Sequence, residues 1–187
     1  LFFSEDSNDT LWFSTLSDVL GWFDTKAWDA TGDIAKSQGW MPFVLDLNGN
    51  GKLDEYVEPG DPVDPTKDQR IRGVGTGGMA NYGVMPSPVD DAIWLSAAAT
   101  PGMILRIDPG SNPPFTSLAE VYEPPLPGNT TRGIDVDRSG VVWAALNSGH
   151  FASFDRRKCK VLNGPTATGK HCPEGWTLYQ TPGPNFK

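Results

Sequence analysis

The sequence predicts an all-β fold built from repeated four-stranded antiparallel units, and three observations lead to this prediction. The 187 residues include 21 Gly and 17 Pro, which interrupt the apolar residues too often for long helices. The segments around Trp12, Trp94 and Trp143 share one pattern, in which an apolar strand with Trp is followed by Gly and by a second strand that ends at Asp. Residues 133–137 alternate apolar and polar side chains, which indicates a strand with one buried face.

The individual strands follow from this pattern. Residues 10–27 have a faint helical period but are better explained by two strands. Residues 133–137 form a hairpin with the strand of Trp143, because a polar turn that contains Gly separates the two. Residues 118–123 form an outer strand that ends at a Pro pair. The predicted units span about residues 8–27, 71–110 and 118–157, with the start of a further unit at 174–187 and a long insertion at 28–70.

The spacing of these units is typical of a β-propeller. Four-stranded blades repeat every 40 to 50 residues or so, and Trp94 and Trp143 are separated by about that distance. We expect the Trp side chains to fill the space between neighbouring blades. Six or seven blades need roughly 270 to 315 residues, so we expect this chain to be an incomplete portion of a propeller within a longer chain or a complex.

Residues 132–143, Arg-Gly-Ile-Asp-Val-Asp-Arg-Ser-Gly-Val-Val-Trp, followed by residues 149–155, resemble the blades of the streptogramin B lyase (virginiamycin B lyase) family and of NHL-type propellers. The resemblance covers about three units, roughly half of the chain, and implies the propeller fold. For the lyase family it also implies a His base, a Glu and a magnesium ion on loops at one face. His150, at the start of what we interpret as an innermost strand, is the candidate base; the alternative is an ordinary polar residue there.

The strongest chemical motif lies inside the insertion, in the loop at residues 46–57. Its Asp-x-Asn-x-Asn-Gly spacing supplies oxygen ligands ahead of a sharp turn, as calcium requires. The predicted ligands are Asp46, Asn48, Asn50, the carbonyl group of Lys52, and Asp54.

The loop departs from an EF-hand because position 12, where Glu is expected, is Val57. It more closely resembles the short calcium loops of exported bacterial proteins, including dockerin-like modules. Because two of the ligands are neutral Asn side chains, we expect a dissociation constant in the extracellular range, about 10⁻⁴ to 10⁻³ M. A Gly- and Asn-rich turn without an ion is the alternative.

The two segments that follow the loop are predicted to be exposed. Residues 55–68 alternate acidic residues with Pro, which is typical of an extended loop. Such a loop is either a surface for a cationic partner or a solvated linker. Residues 73–78 are rich in Gly but lack the Lys and Ser or Thr of a phosphate-binding loop, so we interpret them as a plain loop.

Cys159 and Cys172 flank a turn-rich segment, which favours a disulfide bond in an oxidising compartment. Two reduced thiols, or a partial metal site with His171, are the alternatives. The chain begins at Leu1 without a signal sequence, as a mature exported protein or a fragment does, so we expect a periplasmic or secreted protein.

The net charge of −8 makes nucleic acid an unfavourable partner, and no apolar run is long enough to predict a membrane span. We therefore predict an exported, calcium-binding propeller scaffold that binds a protein or carbohydrate partner through its loop face. The alternative is a metal-dependent lyase or lactone hydrolase whose active site is completed by blades outside this chain. A sensor or assembly component of a larger complex is a third hypothesis.

Overall fold

The computed structural model describes residues 1–14, 18–72 and 81–183, and it confirms the all-β prediction. Three sheets follow one another along the chain, with four, seven and four strands. Only two short helices longer than a 3₁₀ turn occur among the described residues, and both lie in the first third of the chain. Within the described residues, no helix is long and apolar enough to cross a membrane.

The first sheet is a four-stranded antiparallel meander. Trp12 lies opposite Trp22 across two of its strands, an aromatic pair of the kind that stabilises a sheet. Both helices connect its third and fourth strands. The first helix begins where the Asp24 carboxylate accepts the N–H of Ala27, and it ends at Gly32, which has a φ of 61°. In chain order the elements are β1 (Phe2–Phe3), β2 (Leu11–Ser14), β3 (Val19–Phe23), α1 (Thr25–Thr31), α2 (Ile34–Ser37) and β4 (Gln38–Pro42).

The second sheet has a four-stranded antiparallel body with three short strands added at its outer edge. One of the added strands pairs in parallel with the outermost strand of the body, where Leu45 lies opposite Ala119. The added strands are β5 (Val44–Leu45), β6 (Tyr56–Val57) and β7 (Asp68–Arg70), and the body consists of β8 (Asn81–Pro86), β9 (Ile93–Ala97), β10 (Met103–Asp108) and β11 (Leu118–Tyr122).

The third sheet is again a four-stranded antiparallel meander. One of its faces is exposed, and there the rings of Phe151 and Tyr179 stack with their centroids 4.8 Å apart, beside Trp143. Its strands are β12 (Thr131–Val136), β13 (Val142–Leu146), β14 (His150–Phe154) and β15 (Trp176–Gln180).

The core lies on both faces of the second sheet. Ile93 and Leu95 of β9 face a cluster shared with the first sheet, whereas Trp94 between them faces a cluster shared with the third sheet. Every residue of β9 is therefore buried, and Trp94 fills the space between two sheets as predicted. Trp143 does not, because its side of the third sheet is exposed.

The three sheets are arranged as consecutive blades of a β-propeller. Strand β8, the first strand of the second sheet's body, packs next to β2 on one side and β12 on the other. Successive sheets thus meet face to face, with their first strands close together and their later strands farther out. This is the radial stacking by which propeller blades bury their faces against their neighbours.

The boundaries between the four-stranded sheets differ from the predicted boundaries between units. Leu118–Tyr122 closes the second sheet instead of opening the third, and Trp176–Gln180 closes the third sheet instead of starting another. The insertion expected at 28–70 also contributes Gln38–Pro42 as the outer strand of the first sheet. A sequence repeat shows how many residues separate equivalent strands, but it does not show which strand begins a sheet. Antiparallel pairing with the preceding strand decides to which sheet each strand belongs.

Two predicted segments lie partly or wholly outside the described residues. The glycine-rich loop at 73–78 belongs to the undescribed range 73–80, and residues 184–187 at the end of the chain are not described either.

Candidate functional site

The candidate calcium loop begins where β5 ends, and its backbone folds around the carboxylate of Asp46. Asp46 Oδ1 accepts the N–H groups of Gly49 at 2.7 Å and Asn50 at 3.1 Å, and Oδ2 accepts that of Gly51 at 2.9 Å. Gly49 and Gly51 have φ angles of 77° and 74°, which other residues rarely adopt. These contacts leave Asp46 only 5% exposed.

Three of the other predicted ligands are joined in the same loop. The N–H of Asn50 also donates to Asn48 Oδ1 at 3.1 Å, and the Asn50 side-chain amide donates to the Asp54 carboxylate. Lys52 is exposed, and its N–H donates to Asn50 Oδ1 at 2.9 Å. The structure thus brings Asp46, Asn48, Asn50 and Asp54 together in one hydrogen-bonded loop, with the Lys52 backbone between them.

The residue that sequence reasoning missed is Asp68, which was placed in the exposed Pro-rich stretch. Asp68 begins β7 and is 0% exposed. Its Oδ2 accepts the N–H of Asp54 at 2.9 Å, while its buried Oδ1 has no hydrogen-bond partner. No local pattern signals this contact, because Asp54 and Asp68 are 14 residues apart and come together only where β6 pairs with β7.

Burial raises the pKa of the Asp68 carboxyl above its ordinary value. The N–H groups of Asp54 and Asn48 act in the opposite direction, whereas the negative charges of Asp46 and Asp54 raise the pKa further. The ionised form of Asp68 is therefore disfavoured by its surroundings.

No three His, Cys, Asp or Glu side chains in the described ranges lie close enough to hold a metal ion by themselves. A cation at this loop would therefore need the Asn side-chain oxygens and a backbone carbonyl in addition to the carboxylates. Calcium accepts such mixed oxygen ligands, since it takes six to eight or so from carboxylates, amides, carbonyls and water.

A second contact joins this loop to the third sheet. Asn163 Nδ2 donates to Asp46 Oδ2 at 2.9 Å, and the N–H of Gly164 donates to the Asp46 carbonyl at 2.7 Å. Both residues lie in the segment closed by Cys159 and Cys172, whose sulfur atoms are 1.97 Å apart. The predicted disulfide is thus confirmed, and the alternatives of free thiols or a Cys metal site are wrong.

His171 lies beside this disulfide and packs against the ring of Tyr122, with ring centroids 5.1 Å apart. Its Nδ1 accepts the N–H of Gly169 at 3.3 Å, and its Nε2 is buried without a partner. Burial lowers the pKa of His171, although the nearby charges of Glu120 and Glu174 act in the opposite direction.

His150, the candidate base, is the first residue of β14. The expectation of an innermost strand is wrong, because β14 is the third strand of its sheet and β12 is the strand that meets the second sheet. The His150 Nδ1 lies 2.9 Å from the Ser148 carbonyl and 3.2 Å from its hydroxyl. Among the described residues, no carboxylate is paired with His150 by a hydrogen bond or an ion pair.

A cluster of charged residues lies between the second and third sheets, around Glu120 of β11. Arg156 donates to both Glu120 oxygens, at 2.6 and 2.5 Å, and the Tyr122 hydroxyl donates to Oε2 at 2.6 Å. Arg106 lies 3.4 Å from Glu120 and donates to Asp90 at 2.8 Å. The cluster therefore pairs the Glu120 carboxylate, whose side chain is 14% exposed, with two guanidinium groups.

Comparison with known proteins found similarity in structure and not in sequence. No family model matches the chain, and no curated protein matches it. A solved structure of virginiamycin B lyase from Staphylococcus aureus, with selenomethionine substituted, superposes with a TM-score of 0.45 at 14% sequence identity. The match covers 98% of this chain and 56% of that protein, so the chain spans about half of its length. At this level the similarity shows neither family nor activity, and the fold assignment rests on the sheets themselves.

Proposed function

We propose that this chain is an exported, calcium-binding β-propeller scaffold that binds a protein or carbohydrate partner through its loop face. The ion would be held by Asp46, Asn48, Asn50, the Lys52 carbonyl and Asp54. The observation that carries the proposal is the position of Asp46, which connects the loop to the disulfide-closed segment of the neighbouring sheet. A cation at this point would stabilise the outer edge of the propeller.

The chemistry of the loop supports weak, extracellular-type affinity. Each oxygen of Asp46 accepts two N–H groups, so a cation competes with these donors for the carboxylate. Two of the other ligands are neutral amides, and low ligand charge weakens calcium binding to a dissociation constant of about 10⁻⁴ to 10⁻³ M. The disulfide supports an oxidising compartment, where free calcium is high enough to fill such a site.

Exposed apolar side chains on two connections of the second sheet support a role in partner binding. Phe115, between β10 and β11, is 72% exposed, and Leu126, between β11 and β12, is 85% exposed. Binding residues are concentrated on loops that a rigid scaffold presents. The enzyme hypothesis lacks such support, because the candidate base His150 bonds only to Ser148 within the described residues.

Calcium titration tests the proposal directly. We expect wild-type protein to bind one calcium ion by calorimetry, and 10 mM calcium to raise the free energy of unfolding by about 1.4 to 2.7 kcal/mol. Asp46→Ala should abolish both effects, because it removes the group around which the loop folds. Asn112→Ala, on another exposed loop, should leave both effects unchanged.

Absence of any calcium-dependent change in wild-type protein up to 10 mM or so would reject the calcium function, since that concentration exceeds the expected dissociation constant. Partner binding is tested separately, with an array of glycans and proteins probed in calcium and in chelator. Turnover of a lactone or of a cyclic peptide would instead support the enzyme hypothesis.

A further inference from the structure

Asp68 lies near the first residue of the calcium loop, where the pairing of β5 with β7 ends. Strands β5 and β7 are antiparallel, with Val44 opposite Arg70 and Leu45 opposite Gln69. Asp46 follows Leu45 directly and Asp68 precedes Gln69 directly, so the two aspartates lie near each other at the end of this pairing. Like charges that lie close together in a sheet are destabilising.

Both carboxylates of this pair are buried, at 5% and 0% exposure. Asp46 is satisfied by four N–H donors. Asp68 Oδ2 accepts the N–H of Asp54, and the N–H of Asn48 lies near the same carboxylate, but the buried Oδ1 has no hydrogen-bond partner. A buried, partly unsatisfied carboxylate is costly unless a cation or a donor compensates it.

The basic side chains next to Asp68 do not compensate it. Lys67 pairs with Glu55 at 2.6 Å, and Arg70 pairs with Glu58 at 2.7 Å. Both cations are thus held at the exposed side of the segment. Asp68, Asp46 and Asp54 take part in no ion pair within the described ranges.

We propose, on the basis of the calcium function above, that Asp68 is an additional ligand of the ion and supplies the acidic group that Val57 cannot supply at position 12 of the loop. Calcium prefers hard oxygen ligands, and Asp68 offers a buried oxygen without a hydrogen bond beside the end of β5. Because no three carboxylates of the described residues can hold an ion by themselves, the side-chain oxygens of Asn48 and Asn50 and the Lys52 carbonyl would complete the ligand set. The ligand therefore comes from the following strand and not from the loop, and the ion is shared between β5 and β7.

The variant Asp68→Asn tests this role, because it removes one charge with little change in shape and keeps an oxygen for the N–H of Asp54. We expect it to weaken calcium binding about tenfold or more, since ligand charge sets affinity at such sites. Asp61→Asn is the matched control: it removes the same charge from an exposed position of the same segment and should change the dissociation constant by less than about twofold.

A purely structural role for Asp68 is separated by the calcium-free measurement. In chelator, Asp68→Asn should melt at a higher temperature than wild type, because it relieves the repulsion with Asp46, whereas in saturating calcium it should melt at a lower one. An Asp68→Asn variant that binds calcium as tightly as wild type would overturn the ligand role and leave the calcium function standing. Wild-type protein that binds no calcium would overturn both.

If Asp68→Asn does not fold, carbon-13 NMR of the side-chain carboxyls in wild-type protein decides the question. Titration with calcium should shift the carboxyl signals of Asp68 and Asp54, and it should leave that of Asp61 in place. An unmoved Asp68 signal together with a shifted Asp54 signal would contradict the proposal.

Discussion

Two acidic regions of this protein, the partly buried Glu120 and the buried Asp46 and Asp68, differ in the charges that surround them. Glu120, between the second and third sheets, is held by two arginines of the chain itself. The Asp46 and Asp68 pair, at the outer edge of the second sheet, has only N–H donors around it in the described residues. The first region carries its own counter-charge, whereas the second has none among the described residues and, on the proposed function, takes one from solution.

The largest effect is expected at the region that carries its own cations. Glu120→Gln removes the carboxylate that Arg156 shares with the 8% exposed Arg106, although Arg106 keeps its pair with Asp90. Because Glu120 is 14% and Arg156 31% exposed, we expect a loss at the lower end of the roughly 3 to 5 kcal/mol that breaking a buried pair from one side costs. The loss should be the same in calcium and in chelator, as measured by urea unfolding. Glu58→Gln, which breaks an exposed pair with Arg70, should cost less than about 1 kcal/mol. A calcium-dependent loss at Glu120 would break the distinction between the two regions.

A smaller effect, coupled to calcium, is expected from the disulfide. Replacing Cys159 and Cys172 together by Ser should lower the free energy of unfolding by about 3 kcal/mol, the chain-entropy value for a loop of this size. Because the closed segment carries Asn163 and Gly164 to Asp46, the same variant should also weaken calcium binding in calorimetry. Unchanged affinity in a folded double variant would show that the two sites are independent.

The smallest effect is a pH dependence of the free energy of unfolding, which arises from His171 near Glu120. Its pKa is lowered in the folded state by burial, so the unfolded chain takes up the proton first as the pH falls. Stability from this group is complete above about pH 6.5 and decreases as the pH falls through the lowered pKa, by no more than about 1.4 kcal/mol per pH unit. Wild-type protein should show that slope in urea titrations below about pH 6.5, and His171→Gln should remove it. Equal slopes in wild type and variant would contradict this assignment.

Much of the fold was predictable because its signals are local. The apolar strands around Trp94 and Trp143, and the turn between β12 and β13, follow from alternation and from Gly in the turn. The disulfide was predictable because turn residues between two cysteines allow the chain to close. By contrast, the outer strand Gln38–Pro42 has no distinctive pattern of its own, and it is a strand because β3 is available to pair with it.

Of the candidate site, the loop was predictable but its surroundings were not. The spacing of Asp46, Asn48 and Asn50 is a property of adjacent residues, so the sequence displays it. Asp68 stands among Pro and acidic residues that are mostly exposed, and only its pairing in β7 buries it beside Asp46. Asn163 is more distant still, 117 residues from Asp46, and no single-sequence pattern reports such a contact.

The attachment of the disulfide-closed segment to the second sheet also has a mechanical meaning. Gly164 and Asn163 hold Asp46 at one end of the segment, and near the other end the Gly169 carbonyl accepts the N–H of Glu123 at 2.8 Å. The segment therefore bridges the outer edges of two neighbouring sheets. Separating these sheets at that edge requires the hydrogen bonds at both contacts to break, and the covalent bond between Cys159 and Cys172 keeps the two ends of the bridging segment together.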